Sequence, residues 1–378
     1  MRIAIVINTT WNIYNFRMGL IRAFLRENYE VHAVAPPDEY VDRIVAAGCQ
    51  YHPVKLDNKG TSPLNDTRYV LDLLQIYQRI RPDVVLHFTI KPNLYGTAAA
   101  RILGIPVINN VSGLGTVFLR ENLTSKVARM LYRFFFLFPN KVFFQNSDDQ
   151  NYFVGKRLVR RSITEVLPGS GVDIGHFLPV PFARNPVFTF LLAARLIKDK
   201  GINEYVEAIK ILRAEGVPAC FQLVGFKDDS PFGVPEADLN QWIEQKYITY
   251  LGTTDNIRDL MHRADCIVLP SYREGTPRTL LEAASLAKPL IATQVPGCVE
   301  IVEDGVNGFL CEVKNSEDLA AKMKKMVNLD NHDLQRMGKA SRQKVEDKFD
   351  ENFVIGRYMD AIQAFAPFAE PQQVVALS

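Results

Sequence analysis

The chain has 378 residues, 47% hydrophobic and 23% charged, and a formal net charge of +2. That length accommodates two domains of about 180 residues each. A charge so close to balance argues against a nucleic-acid partner, whose binders carry a concentrated basic footprint.

Five cysteines (Cys49, Cys220, Cys266, Cys298, Cys311) are dispersed without Cys-x-x-Cys spacing. They read as buried free thiols in a reducing, cytoplasmic setting. The opening residues alternate into a strand too short for a signal-peptide core. No apolar run approaches the roughly 20 residues of a spanning helix. The expectation is a soluble protein, or one lying on the inner face of the plasma membrane.

Strand patterns fall at 2–8, 29–35, 51–56, 83–88, 106–111 and 141–145. Helical spacing falls between them, at 16–26, 40–47, 67–80, 93–103, 124–138 and 148–157, with a loop at 57–66 around Gly60 and Pro63. Pro168, Pro179, Pro181 and Pro186, with Gly169, Gly171 and Gly175, mark a linker at about 176–187. The alternation then restarts, with strands at 188–194, 220–225, 248–252, 266–269, 290–294 and 309–313. Helices follow at 202–214, 319–327, 334–348 and 351–364, and the tail from 367 reads as frayed. Strands alternating with helices predict parallel sheets covered on both faces. Two such doubly wound domains place a cleft between the carboxyl ends of their sheets.

Residues 266–282 carry the strongest chemical signal. A buried strand, Cys266–Leu269, leads through Pro270 and Gly275 to a helix, with Thr276 as its expected N-cap and Pro277 in its first turn. Glu274 and Glu282 bracket the helix start, with Arg278 beside it. Free N–H groups and the positive dipole end suit a phosphate, and the carboxylates suit hydroxyls on either side. The plainer reading is a strand–loop–helix unit with a solvated Glu pair.

Arg195 ends the 188–194 strand, and Lys200 follows in the next loop. Two such cations hold a diphosphate, unless they belong to a solvated Lys-rich turn. Gly225 and Gly252 end two further strands, the second after Tyr250 and Leu251. Each permits close backbone approach to a base or ribose, or simply makes a tight turn.

In the first domain, Ser112-Gly113-Leu114-Gly115 lacks the third glycine of a dinucleotide fingerprint, but places bare backbone at a strand end. Lys91 follows the 83–88 strand, and His87 lies at its end as either a site residue or a satisfied structural histidine. Asn12, Tyr14, Asn15 and Arg17 occupy the first strand-to-helix loop. There is no Asp-x-Asp, no Cys/His cluster of zinc spacing and no Gly-x-Ser-x-Gly, so neither a metal nor a cofactor is expected. Phe134, Phe135, Phe136, Phe138, Phe143 and Phe144 are interleaved with Arg129, Arg133 and Lys141. Lys156, Arg157, Arg160 and Arg161 follow. These residues suit an anionic membrane surface, or else are core aromatics beside a solvated basic loop.

Taken together, these residues resemble the retaining glycosyltransferases of sequence family 4, which have the GT-B fold, over about residues 2–365. The Glu-x7-Glu pattern after a strand ending Leu-Pro-Ser carries most of the likeness. The resemblance implies that Glu274 binds donor-sugar hydroxyls, that Gly275, Thr276 and Pro277 line sugar and phosphate, and that Thr279 and Leu280 donate N–H groups to phosphate. It further implies that Glu282 chelates the ribose, that Arg195 and Lys200 hold the diphosphate, and that the Tyr250–Gly252 strand end receives the base. The stretches at 89–96 and 109–115 resemble bacterial enzymes of surface-polysaccharide and lipid-linked oligosaccharide assembly. Their donors are UDP-sugars and their acceptors polyprenyl-diphosphate-linked saccharides.

The implied organisation is an acceptor domain at 1–180, a nucleotide-sugar domain at 181–349, and a helix at 350–366 crossing back to the first domain. Many family members carry a Gly-Gly pair in the first loop, where this chain has Trp11-Asn12-Ile13-Tyr14-Asn15-Phe16. The competing readings are a nucleotide-sugar epimerase, which would need acid/base carboxylates in both domains, and a non-catalytic partner of the same fold.

Overall fold

Val, Ile, Leu and Phe dominate the strands, and in the computed structural model they are buried on both faces. The structure describes residues 1–58, 60, 62–113 and 123–365. Along β1 (Arg2–Val6), Ile3 and Ile5 enter one apolar cluster while Ala4 and Val6 enter another. That division is the two-residue period of a strand sandwiched between helices.

The first sheet holds seven parallel strands: β1, β2 (Glu30–Ala35), β3 (Gln50–Pro53), β4 (Val84–Phe88), β5 (Val107–Val111), β6 (Lys141–Phe144) and β7 (Thr164–Val166). Their order is β3-β2-β1-β4-β5-β6-β7. The second sheet holds β8 (Phe188–Ala193), β9 (Ala219–Val224), β10 (Thr249–Tyr250), β11 (Cys266–Leu269), β12 (Leu290–Thr293) and β13 (Gly308–Cys311). Its order is β10-β9-β8-β11-β12-β13, again all parallel. In each sheet the order reverses once, between β1 and β4 and between β8 and β11. Ligands of such folds bind outside the strand ends at that point.

The chain divides into two compact units, Met1–Leu167 together with the chain from Val354, and Pro168–Phe353. The first boundary therefore lies before the 180 read from the sequence, and the proline-rich stretch is not a free linker. Phe177 is buried in the second unit's core. A single Arg342 guanidinium nitrogen donates to the carbonyls of Ile174, Phe177 and Ser285 at 2.9–3.1 Å, which fastens the stretch down. In the last helix, α15 (Glu351–Gln363), Val354, Tyr358 and Ile362 repeat every fourth residue and join the first unit's core with Phe88 and Phe143.

Three local readings are corrected. Residues 11–16 form a short helix, α1 (Thr10–Phe16), rather than a loop. Asp38 stabilises its start by accepting from the Thr10 hydroxyl and from the Trp11 N–H at 3.0 Å. The helix α4 (Pro63–Ile80) begins at Pro63, inside the expected loop, because proline suits a first turn. The helix expected at 93–103 is a wide turn at Pro92–Gly96 running into α5 (Thr97–Ile102).

His87 explains that wide turn. It is fully buried, and a Cβ on Gly96 would strike its ring. Its Nδ1 bonds Asn109 Oδ1 at 2.9 Å and its Nε2 bonds the Tyr77 hydroxyl at 2.9 Å. Burial lowers its pKa to about 4. The folded protein thus resists a proton that the unfolded chain accepts near 6.5, so stability is full above that pH and falls as pH drops toward 4. We predict that His87 alone removes about 2 kcal/mol between pH 7 and pH 5. Denaturant titrations at both pH values should show a smaller acid loss in His87→Gln. An equal loss in variant and wild type would contradict the assignment.

Candidate functional site

The carboxyl ends of β8 and β11 meet at the second sheet's reversal point, and their loops are locked together. Gly201 adopts φ +70°, and a Cβ there would overlap the Pro270 carbonyl, so only glycine allows the loops to pass. The Tyr272 N–H donates to Asp199 O at 2.9 Å, and its hydroxyl donates to Glu204 at 2.7 Å. Across this seam Lys200 Nζ reaches Glu274 Oε1 at 2.5 Å. Ser271 donates to the same oxygen, and Ser271 is itself held through its carbonyl by the Thr293 hydroxyl.

The loop then enters α11 (Arg278–Ser285). Pro277 is its N-cap and Arg278 its first residue, one position later than the sequence suggested; the Pro277 side chain offers no cap bond. Leu280 and Leu281 are buried, which turns Arg278 and Glu282 toward the loop side. Arg278 Nε donates to Glu282 Oε1 at 2.9 Å, and its NH1 lies 3.4 Å from Ser170 Oγ. Burial holds the Glu282 carboxyl above its usual pKa, and Arg278 offsets only part of that rise. The Thr279 hydroxyl donates to Ala193 O at 3.1 Å, pinning the helix start to the end of β8. Leu280 N–H donates to Pro277 O at 3.0 Å in this first turn.

Arg195 lies half-exposed beyond β8, 3.5 Å from Asp228. Gly225, at the end of β9, bonds through its N–H to Gly252 O and accepts the Tyr250 hydroxyl at 2.8 Å. Leu251 N–H donates to Leu223 O at 2.8 Å. The ends of β9 and β10 are therefore bonded into one ledge, next to the β8 end that Arg195 follows. The second unit brings together Arg195, Lys200, Gly225, Tyr250, Leu251, Glu274, Gly275, Thr276, Pro277, Arg278, Thr279 and Glu282 at its carboxyl-end loops.

Several contributors carried no sequence signal strong enough to name them. Gly297, at φ +83°, lies so close to Gly275 that a Cβ would overlap its carbonyl. Gly169, which the sequence marked only as a linker glycine, lies close against the Thr276 side chain. Ser170 and Asp228 meet Arg278 and Arg195, partners distant in sequence.

The first-unit candidates are placed differently. Asn15 donates to Trp11 O at 2.9 Å within its own helix. Arg17 is buried with its guanidinium 4.3 Å above the Phe88 ring. Both His87 and Arg17 are thus corrected from cleft residues to core residues. Lys91 and Gly113 do lie at neighbouring strand ends, after β4 and β5. Lys91 is ion-paired with Asp66 at 2.6 Å, and Asp66 also accepts the Tyr95 hydroxyl at 2.7 Å. Gly115 lies outside the described residues.

Of the aromatic segment, Tyr132, Phe136, Phe143 and Phe144 are core. Val127, Met130, Phe134 and Leu137 are exposed along one side of the segment that starts with α6 (Leu123–Phe135), with Lys126 and Arg133 exposed beside them. No helix among the described residues is long and apolar enough to cross a membrane. Among the described residues, Asp330, His332 and Asp333 alone cluster closely enough to share an ion. They are surface residues at the start of α14 (Asn331–Lys348), where Asp330 serves as the N-cap.

Paired cations and carboxylates stand at the reversal point of one of two doubly wound sheets, and comparison with known proteins gives the class of the chain. The model for glycosyl transferases group 1 matches residues 181–344, and that for glycosyl transferase 4-like proteins matches residues 2–146. The chain belongs to the glycosyltransferases of GT-B fold.

Among its relatives, the Campylobacter jejuni N,N'-diacetylbacillosaminyl-diphospho-undecaprenol alpha-1,3-N-acetylgalactosaminyltransferase is 26% identical, over 95% of this chain and 97% of its own. An Escherichia coli UDP-Gal:alpha-D-GlcNAc-diphosphoundecaprenol alpha-1,3-galactosyltransferase is 25% identical over 77% of this chain and 78% of its own. Anabaena HepE, solved in complex with UDP-glucose, superposes with a TM-score of 0.79 at 18% identity, covering 96% of this chain and all of HepE.

Gly297 gives a direct test of the loop geometry. We predict that Gly297→Ala displaces the Gly275 backbone, lowers stability by about 1–3 kcal/mol and sharply reduces turnover. Gly216 also has positive φ, but open space around it. Gly216→Ala should cost about 1 kcal/mol and spare activity. Equal activity in the two variants, measured beside their melting curves, would show that the close approach at Gly297 is unimportant.

Proposed function

We propose that the chain transfers a hexose or N-acetylhexosamine, with retention of configuration, from a UDP-sugar to a polyprenyl-diphosphate-linked saccharide. The observation that carries this is the pairing at the start of α11, where Lys200–Glu274 and Arg278–Glu282 set two cations and two carboxylates around one helix N-terminus. A diphosphate flanked by two polyols offers the complementary set, anion for the cations and hydroxyls for the carboxylates. The printed names of the two bacterial relatives support the acceptor class, and HepE's UDP-glucose complex supports the donor class. Both relatives are named for α-1,3 linkages, the outcome that retention gives from an α-linked donor.

In this reading the C1–O bond to UDP breaks as the acceptor oxygen bonds to C1 on the same face. The acceptor hydroxyl's proton passes to the departing phosphate oxygen. Arg195 and Lys200 offset the charge that develops on the diphosphate, which is where preorganised cations are most effective. Glu274 orients the sugar and Glu282 the ribose, while the ledge at Gly225, Tyr250 and Leu251 receives the base. With those cations present, no metal is required. The exposed Val127, Met130, Phe134 and Leu137, flanked by Lys126 and Arg133, would rest on an anionic membrane surface and bring the site to its lipid-linked acceptor. That surface should pull the protein down with anionic liposomes at low salt and release it at high salt. Binding that persists in Met130→Asp/Phe134→Asp would reject this surface.

Catalysis is tested with the two carboxylates, assayed in the presence of a chelator. We expect Glu282→Ala to erase the preference for UDP over 2′-deoxy-UDP, a loss of roughly 1.5–3 kcal/mol for hydrogen bonds to a charged acceptor. Glu274→Ala should not weaken UDP, yet should lower turnover. Chelator-sensitive activity, or a Glu274→Ala variant that loses UDP as badly as Glu282→Ala, would contradict the division of roles.

A further inference from the structure

Arg278 stands where local physics disfavours it. It is the first residue of α11, at the positive end of the helix dipole, where carboxylates are favoured and cations are not. Its pairing with Glu282 four residues later runs cation first, the less favourable order along a helix. Both side chains are largely withdrawn from water, at 17% and 14% exposure, so the pair also carries a desolvation cost. A position that breaks several local preferences together points to a function outside the helix itself.

The geometry supplies that function. The guanidinium holds one carboxylate oxygen through Nε, while NH1 extends the other way to Ser170 Oγ. It is the first residue after the Pro277 N-cap, in the same loop cluster as Lys200. An arginine has five donors in a planar fork and can exchange a carboxylate for a phosphate with little loss of hydrogen bonding.

Building on the proposed UDP-sugar reading, we infer that Arg278 is a partner-exchanging specificity residue: a nucleoside diphosphate draws it off Glu282, and Glu282 turns to the ribose hydroxyls. Diphosphate and ribose recognition are then one coupled event. Phosphate binding releases the carboxylate that the ribose needs, and a nucleoside without phosphate must compete with Arg278 for Glu282. The chain thereby discriminates against nucleosides and, once the diphosphate has left its contacts, returns Glu282 to Arg278.

The test compares UDP with uridine by calorimetry and ligand-observed NMR, on the full chain and on folded Arg278→Gln and Arg278→Lys variants. The inference predicts that Arg278→Gln weakens UDP roughly 10- to 100-fold, the loss of a charge-assisted phosphate contact. Uridine affinity should stay the same or rise, because Glu282 has lost its competitor. Arg278→Lys should recover part of the UDP affinity. Were Arg278 only a strut for Glu282, both ligands would weaken by the same factor, and that outcome overturns the inference. Unchanged UDP affinity in Arg278→Gln overturns it as well. If the wild type binds UDP no better than uridine, the donor reading itself has failed, and the inference falls with it.

Discussion

Opposite charges gathered at the start of one helix are the constraint on which the rest of the second unit depends. Four ionisable groups, Lys200, Glu274, Arg278 and Glu282, lie largely out of water in two pairs. Such pairs are tolerable only where geometry is good and the remaining polar atoms are satisfied. The surrounding structure meets that demand. Gly201 and Gly297 let loop backbones close on one another, Ser271 and Thr293 hold Glu274 from behind, and Thr279 ties the helix to β8. Rigid strands of Val, Ile and Leu fix the positions from which these loops depart. The loops that carry these groups are thus held in place by packing.

The first unit uses similar means for a different end. His87, Asn109, Asn93, Thr97 and Tyr77 form a buried, hydrogen-bonded network beneath the β4 and β5 strand ends. A buried polar network of this kind favours one packing arrangement. It forces the wide turn at Pro92–Gly96 and so sets where Lys91 emerges. Asn110 meanwhile bonds Tyr358 of the final helix at 2.9 Å, joining the chain's end to this unit's core.

The sequence was informative where chemistry is local. The strand–loop–helix from Cys266 to Glu282 could be read from apolar runs, a proline, a glycine and the carboxylate spacing, and all twelve strands expected from pattern are present. What escaped was set by residues far apart in the chain. The pairing of Lys200 with Glu274 spans 74 positions, and the pinning of Phe177 by Arg342 spans 165. Proline density alone made residues 176–187 resemble a linker. The Trp11–Phe16 segment has no strong helix formers and is stabilised by Asp38, so its periodicity did not mark it as helical. The strand β7 is three residues of edge, too short to register as a pattern. His87 could be either ligand or core by sequence, and only its burial and two partners decide for core.

Amide hydrogen exchange with and without saturating UDP measures the central claim most directly, since it reports where the nucleotide lands without assuming which residues touch it. The account predicts slowed exchange in the second unit, concentrated in the loop at 195–201, the strand ends at 225 and 250–252, and residues 271–282, with the buried network around His87 unchanged. Protection confined to the first unit, or absent from 271–282, would contradict it.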